Sequence, residues 1–385
     1  MRLTTRSLLT LTLLTLALVF AWPTINGYAR ATAFVVRAAD MHGWWADPLA
    51  RIGTGPFTKE DTHIDTRGGR IRARIYRPAQ PLRRTILLTG GVHADGIDEP
   101  RLVKFAGDLA TSGTPVVTAE VPDLLRYRIT PALTDTIEDA AVWAASQPTL
   151  APDGRIGLFG ISFAGGLSVS AAGRPALRDH VAFVLSLGGH GDLARVAHYL
   201  CTGLWPDGSY HKQHDYGVVI ALVNLADQVV PADQVEPLRA AIVTFLTASH
   251  LDMVDKPAAA REFAHARELQ KTLPEPAATM MGYVNDRNVQ ELGKLLRPHV
   301  DAFANNPSLS PEIAPGINAP LFLIHGTDDN VVPSIESRLL AERLGQQTQV
   351  HLLITPLITH AEVDRGAGAT DVWRLIRFWY EAFNV

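Results

Sequence analysis

Ile156-Gly157-Leu158-Phe159-Gly160-Ile161-Ser162-Phe163-Ala164-Gly165-Gly166 is the stretch on which the reading of this chain turns. Ile156–Phe159 is a short apolar run of strand length, and Ala164–Ala172 is a run of small residues with helical length. The residues between them predict a sharp turn from strand to helix. Such a turn lifts a serine Oγ clear of the backbone, and only small neighbours fit beside it. The helix that follows offers N–H groups and a positive dipole end to a developing oxyanion. Ala164 stands where a second glycine completes the Gly-x-Ser-x-Gly pattern, and Gly165-Gly166 keeps the helix start slim. The stretch is not a dinucleotide-binding turn, because Gly-x-Gly-x-x-Gly is absent. Taken alone it also reads as a Gly-rich turn carrying a solvated serine.

Working outward, strands and helices alternate. Thr85–Leu88, Val116–Val121, Val181–Leu187, Leu321–His325 and Val350–Thr355 are apolar runs of strand length. Leu133–Ala145, Ile335–Leu344 and Asp371–Phe383 have helical spacing, and His63–Tyr76 with Gly68-Gly69 reads as a hairpin. Continuous apolar strands between helices predict a mostly parallel sheet covered on both faces. The rhythm breaks from Gly191 to Gly316, where Val218–Leu225, Leu238–Thr247, Ala258–Lys271 and Val289–Val300 look helical. That segment reads as a helical insertion between two strands. The domain expectation is therefore 1–30 targeting segment, 31–60 connecting segment, 61–190 and 317–385 α/β core, and 191–316 insertion.

Two more strand ends carry chemistry. His325-Gly326-Thr327-Asp328-Asp329-Asn330-Val331-Val332-Pro333 follows one strand, and Ile358-Thr359-His360-Ala361-Glu362 follows the next. A carboxylate at such an edge can orient an imidazole, and a histidine there can act as general base toward Ser162. Each also has a plain reading, as an Asp-rich turn and a loop histidine. Ser162, an aspartate and His360 nevertheless occur in the order Ser, Asp, His, each just past a strand, and ligands of open parallel sheets bind at that edge.

On these residues the chain resembles the α/β-hydrolase superfamily, closest in look to the dienelactone-hydrolase and prolyl-oligopeptidase-like serine hydrolases. His-Gly-x-x-Asp-x-x-Val-Pro at His325–Pro333 is the most specific element. The resemblance implies an α/β-hydrolase fold, with the insertion as a lid. It makes Ser162 the nucleophile, His360 the base and Asp329, rather than Asp328, the acid. The Phe163 N–H becomes one oxyanion donor, and Gly91 or Val92 the second, with Gly91 preferred. Ser162 stands where dienelactone hydrolases carry cysteine. The expected activity is hydrolysis of a small-molecule or acyl ester through an acyl-enzyme, with no cofactor. A peptidase or acyltransferase on the same triad is the alternative, as is a catalytically silent binding module.

Composition narrows the field. Lys plus Arg is 35 and Asp plus Glu 39, a net charge of −4 that gives no footprint for nucleic acid. An apolar share of 47% with 19% charged residues is that of a globular protein. The one cysteine, Cys201, rules out an intramolecular disulfide framework and a Cys-rich zinc site. A metal site at the sheet edge is a minor alternative, drawing on His93, Asp95, Asp98, His190 and Asp192. At the N-terminus, Arg2 and Arg6 precede an uncharged run, Ser7–Ala29, long enough to span a bilayer, which takes about 20 residues. An uncleaved membrane anchor is the preferred expectation. Cleavage near Ala29-Arg30-Ala31 is the alternative. Either puts the folded part outside the cytoplasm.

Overall fold

The computed structural model describes residues 5–314, 316–358 and 368–385, with side chains from Phe20 onward except those of Ala302 and Phe303. The chain opens with helix α1 (Thr5–Ala38) and the single turn α2 (Ala46–Ala50), then the hairpin β1 (Phe57–Thr66) and β2 (Gly69–Pro78). Next come β3 (Ile86–Thr89), α3 (Pro100–Thr111), β4 (Val116–Ala119), the short α4 (Pro122–Leu125), α5 (Ala132–Ser146), β5 (Ile156–Ile161), α6 (Phe163–Ala172) and β6 (Val181–Leu187). Seven helices follow: α7 (Leu193–Thr202), α8 (Asp215–Val229), α9 (Ala232–Leu251), α10 (Lys256–Thr272), α11 (Ala277–Asn285), α12 (Val289–Leu296) and α13 (Val300–Ala304). The chain closes with β7 (Leu321–Gly326), α14 (Ile335–Leu344), β8 (Val350–Thr355) and α15 (Ala369–Phe383).

Among the described residues, eight strands form one sheet in the order β1-β2-β4-β3-β5-β6-β7-β8. β2 is antiparallel to both β1 and β4, and every other pair is parallel. The strand period of two sorts side chains to opposite faces. Leu87, Leu158 and Val184 join α5, α6 and the inserted helices in one core. Ile86, Leu88, Phe159, Phe183 and Leu185 join α1, α3 and α15 in the other. Both faces are covered, which is why these strands are apolar throughout.

The N-terminal expectations need correction. No break falls at residue 31, because α1 runs unbroken to Ala38 and its last turns, from Ala31 to Val36, are core. Ala31, Ala33 and Phe34 are fully buried. Phe34 meets the rings of Trp379 and Phe383 edge-on at 4.6 and 5.1 Å, and Tyr28 stacks on Tyr380 at 4.0 Å. The connecting segment is therefore partly a helix of the domain. Among the described residues, no helix is long and apolar enough to cross a membrane, so the structure lends the expected anchor no support.

The two ends of the inserted segment are clasped together. Glu336 on α14, 1% exposed, accepts the backbone N–H groups of Gly191 and Asp192 at 3.0 and 2.9 Å. It also pairs with Arg195 on α7, whose guanidinium reaches Glu312 at 2.6 Å. Leu193 N–H donates to Ser310 Oγ at 2.9 Å, and Glu312 N–H to the Gly191 carbonyl at 3.1 Å. Residues around 191 and around 312 thus leave and rejoin the sheet at one point.

Candidate active site

After β3 the chain goes to β4 on one side, then returns to place β5 on the other side of β3. The β3/β5 boundary is therefore the switch point of the sheet, where the loops at the strand ends diverge and leave a crevice. Ser162 follows β5, and Gly91 follows β3, so the topology sets them on the two sides of that crevice.

The turn at Ser162 is strained. Its backbone has φ 55° and ψ −133°, a conformation L-residues avoid. Hydrogen bonds fix it from both sides: Ser162 N–H to the Leu187 carbonyl at 2.7 Å, and Gly165 N–H to the Ser162 carbonyl at 2.8 Å. Small residues are required around it. A Cβ on Gly160 would lie 2.1 Å from the Ala164 carbonyl oxygen, so position 160 tolerates only glycine. Position 164 accepts a methyl group, and Ala164 is fully buried. Phe163 opens α6, where the first N–H groups have no intrahelical acceptor. A Cβ on Gly91 would sit 3.2 Å from Ser162 Cβ and 3.7 Å from its Oγ. Glycine there lets the β3 loop come against the serine.

Two strands along, β7 ends in the Asp-rich turn. Asp329 is buried at 7% exposure, whereas Asp328 is exposed. Asp329 Oδ1 accepts from the N–H groups of Val331 and Val332 at 2.9 and 3.0 Å. Its Oδ2 lies 3.4 Å from Nε2 of His325 and faces Gly188 at the end of β6. His325 is itself fully buried: Nε2 donates to the Val332 carbonyl at 2.8 Å, leaving Nδ1 to accept from Ser337 at 2.7 Å. It braces the turn and is no candidate base. His360 lies outside the described residues, past the end of β8.

The residues of the metal alternative do not assemble as a group. His190 is buried under α6, stacked on Phe163 with ring centroids 4.5 Å apart, and donates from Nε2 to the Leu309 carbonyl at 2.6 Å. Burial pushes its pKa down to about 4. Asp98 pairs with Arg72 and Arg74, and Asp192 caps α7 through Arg195 N–H at 2.7 Å. His93 and Asp95 meet instead His250 of α9, a residue the sequence did not single out. Tyr216 of α8, equally unmarked in the sequence, donates its hydroxyl proton to the Val92 carbonyl at 2.8 Å.

No protein-family model and no curated protein matches the sequence. Solved structures do. A Pyrobaculum calidifontis esterase is similar at 16% identity over 94% of this chain and 89% of its own, with a TM-score of 0.45. Carboxyl esterase 2 of Tuber melanosporum is similar at 14% identity over 85% and 86%, with 0.47. Pyrococcus horikoshii acylaminoacyl peptidase is similar at 15% identity over 89% of this chain but only 43% of its own, with 0.46. The assignment of fold stands on the chain's own geometry: a sheet that switches direction at β3/β5, and a serine at positive φ on the strand-to-helix turn of that switch point, give it the α/β-hydrolase fold.

Proposed function

We propose that the protein is a serine hydrolase that cleaves a carboxylic ester through an acyl-enzyme. The observation that carries this is Ser162, held at φ 55° on the turn after β5 with Gly91 packed against it. A strained, over-determined backbone at a crevice is typical of a site where geometry serves chemistry. In this reading His360 takes the Ser162 proton and Ser162 Oγ attacks the ester carbonyl. The N–H groups of Phe163 and Gly91 hold the oxyanion, and the alcohol leaves with the proton from His360. Water, activated by His360, then releases the acid. Asp329 orients His360; its burial supports that role over Asp328, which is exposed. The inserted helices form a lid that shapes the acyl pocket. The substrate is a small-molecule ester, and no cofactor takes part.

The test is labelling of the full chain with a fluorophosphonate, followed by a panel of esters of varied acyl length. Labelling and hydrolysis should vanish together in Ser162→Ala while the protein stays folded. A labelled Ser162→Ala protein would end the proposal.

We also propose that the folded part works outside the cytoplasm with its N-terminal segment retained. Arg2, Arg6 and the uncharged run support the location. Retention is supported by Ala29-Arg30-Ala31, which sits within α1 with Ala31 fully buried, so cleavage there would strip Tyr28 from its stack on Tyr380. N-terminal sequencing of the mature protein decides it: a start near Thr32 refutes retention.

A further inference from the structure

Two helices of the inserted segment grip the loop that leaves β3. Tyr216, in the first turn of α8, donates to the Val92 carbonyl at 2.8 Å. His250, in the last turn of α9, meets His93 edge-to-face with ring centroids 4.0 Å apart and a contact of 2.7 Å from His93 Nε2 to His250 Nδ1. Val92 and His93 directly follow Gly91, which lies against Ser162.

A backbone group fixes the protons of the histidine pair. Asp95 N–H points at His93 Nδ1 at 3.1 Å, and a backbone N–H can only donate. His93 Nδ1 is therefore an acceptor, and its ring proton sits on Nε2. That proton goes to His250 Nδ1, which leaves the proton of His250 on Nε2, 3.7 Å from Asp95 Oδ2. Every nitrogen is accounted for with both rings neutral. Burial first, and His250 second, lower the His93 pKa; Glu99 and Asp95 oppose this, and Arg101 adds to it.

The same three side chains have ligand atoms within 4.8 Å of one another, as a metal site requires. The protons speak against one. A metal-bound histidine turns its other N–H toward an acceptor. Metal on His93 Nε2 would force the proton onto Nδ1, against the N–H of Asp95. The 2.7 Å nitrogen separation is also that of a hydrogen bond, below the about 3.3 Å that two nitrogens keep around a tetrahedral ion.

We propose that Tyr216 and His250 are positioning residues for acyl transfer. They hold Gly91-Val92-His93 so that its N–H groups aim at the oxyanion, which makes the inserted segment part of the catalytic apparatus as well as a cover. The inference rests on the serine-hydrolase reading. Freeing the Val92 carbonyl lets the adjoining peptide planes turn, and a misplacement near 1 Å costs about 10²-fold in rate.

Steady-state hydrolysis by the full chain, with fluorophosphonate labelling alongside, tests this. Tyr216→Phe and His250→Leu should each lower kcat at least about tenfold with KM nearly unchanged. His250→Gln, whose side-chain oxygen can accept the His93 Nε2 proton, should restore most of kcat. A labelled wild type whose Tyr216→Phe and His250→Leu variants keep kcat, or lose only KM, overturns this inference alone. An unlabelled wild type overturns the parent reading, and this one with it. Added Zn²⁺ that raises the melting temperature of the wild type but not of His250→Gln would overturn the hydrogen-bonded pair in favour of a metal site.

Discussion

Replacing Ser162 by glycine should separate the cost of the turn from its chemistry. At φ 55° and ψ −133° a side-chain-bearing residue costs about 1–3 kcal/mol, and glycine adopts such a conformation with little penalty. Three terms decide the outcome relative to Ser162→Ala. Relief of strain favours glycine by that about 1–3 kcal/mol. The freer unfolded chain disfavours it by about 0.4–1 kcal/mol. Loss of a half-buried Cβ disfavours it by about half of the ~0.8 kcal/mol of a fully buried methylene. The balance is that Ser162→Gly should be about 1 kcal/mol more stable than Ser162→Ala. Both variants lack Oγ, so whatever that oxygen contacts in the folded protein cancels between them. Both should also be inactive. Urea unfolding of the two proteins at one pH measures the difference directly, and equal slopes would show that the unfolded states are comparable. A glycine variant no more stable than the alanine variant would refute the argument that the turn stores strain for the sake of the serine.

His190 should make the protein acid-sensitive. Its folded pKa of about 4 lies below the 6.5 of the free side chain, so its contribution is present above 6.5 and is lost as the pH falls through 4. That difference corresponds to about 3 kcal/mol. His190→Gln should show a visibly flatter loss of stability between pH 6.5 and 4 in urea titrations, and an unchanged slope would rule this out. Arg195→Leu leaves Glu336 buried without its partner and should cost roughly 3 kcal/mol at neutral pH. The loss should shrink in acid, because burial already raises the Glu336 pKa and a protonated carboxyl needs no partner. Asp329→Asn should collapse turnover by up to about 10⁴-fold while exposed Asp328→Asn leaves it nearly intact; the opposite result would move the acid by one residue.

The sequence by itself determined the class of fold and the place of the serine, because both are local. The apolar run Val181–Leu187 is buried on both faces inside the sheet, and Gly160-Ile161-Ser162 can make the turn only with glycine at 160. The helix Ile335–Leu344 came out with the bounds expected of it. β1 was only partly legible, since as an edge strand it exposes most of its side chains and shows little alternation. α3 was missed although Leu102, Ala106, Leu109 and Ala110 do form a buried stripe. Tertiary structure alone decided the rest. That α1 continues past the uncharged run and packs its last turns on the domain is seen only in Phe34 among Phe105, Trp379 and Phe383. In the sequence His190 and His93 read alike, as members of the metal alternative. One is walled in by Phe163 and Leu309, and the other meets His250 from 157 residues away. No local pattern encodes such a meeting, because it depends on how the inserted helices lie across the sheet edge, and that is set by contacts between segments far apart in the chain.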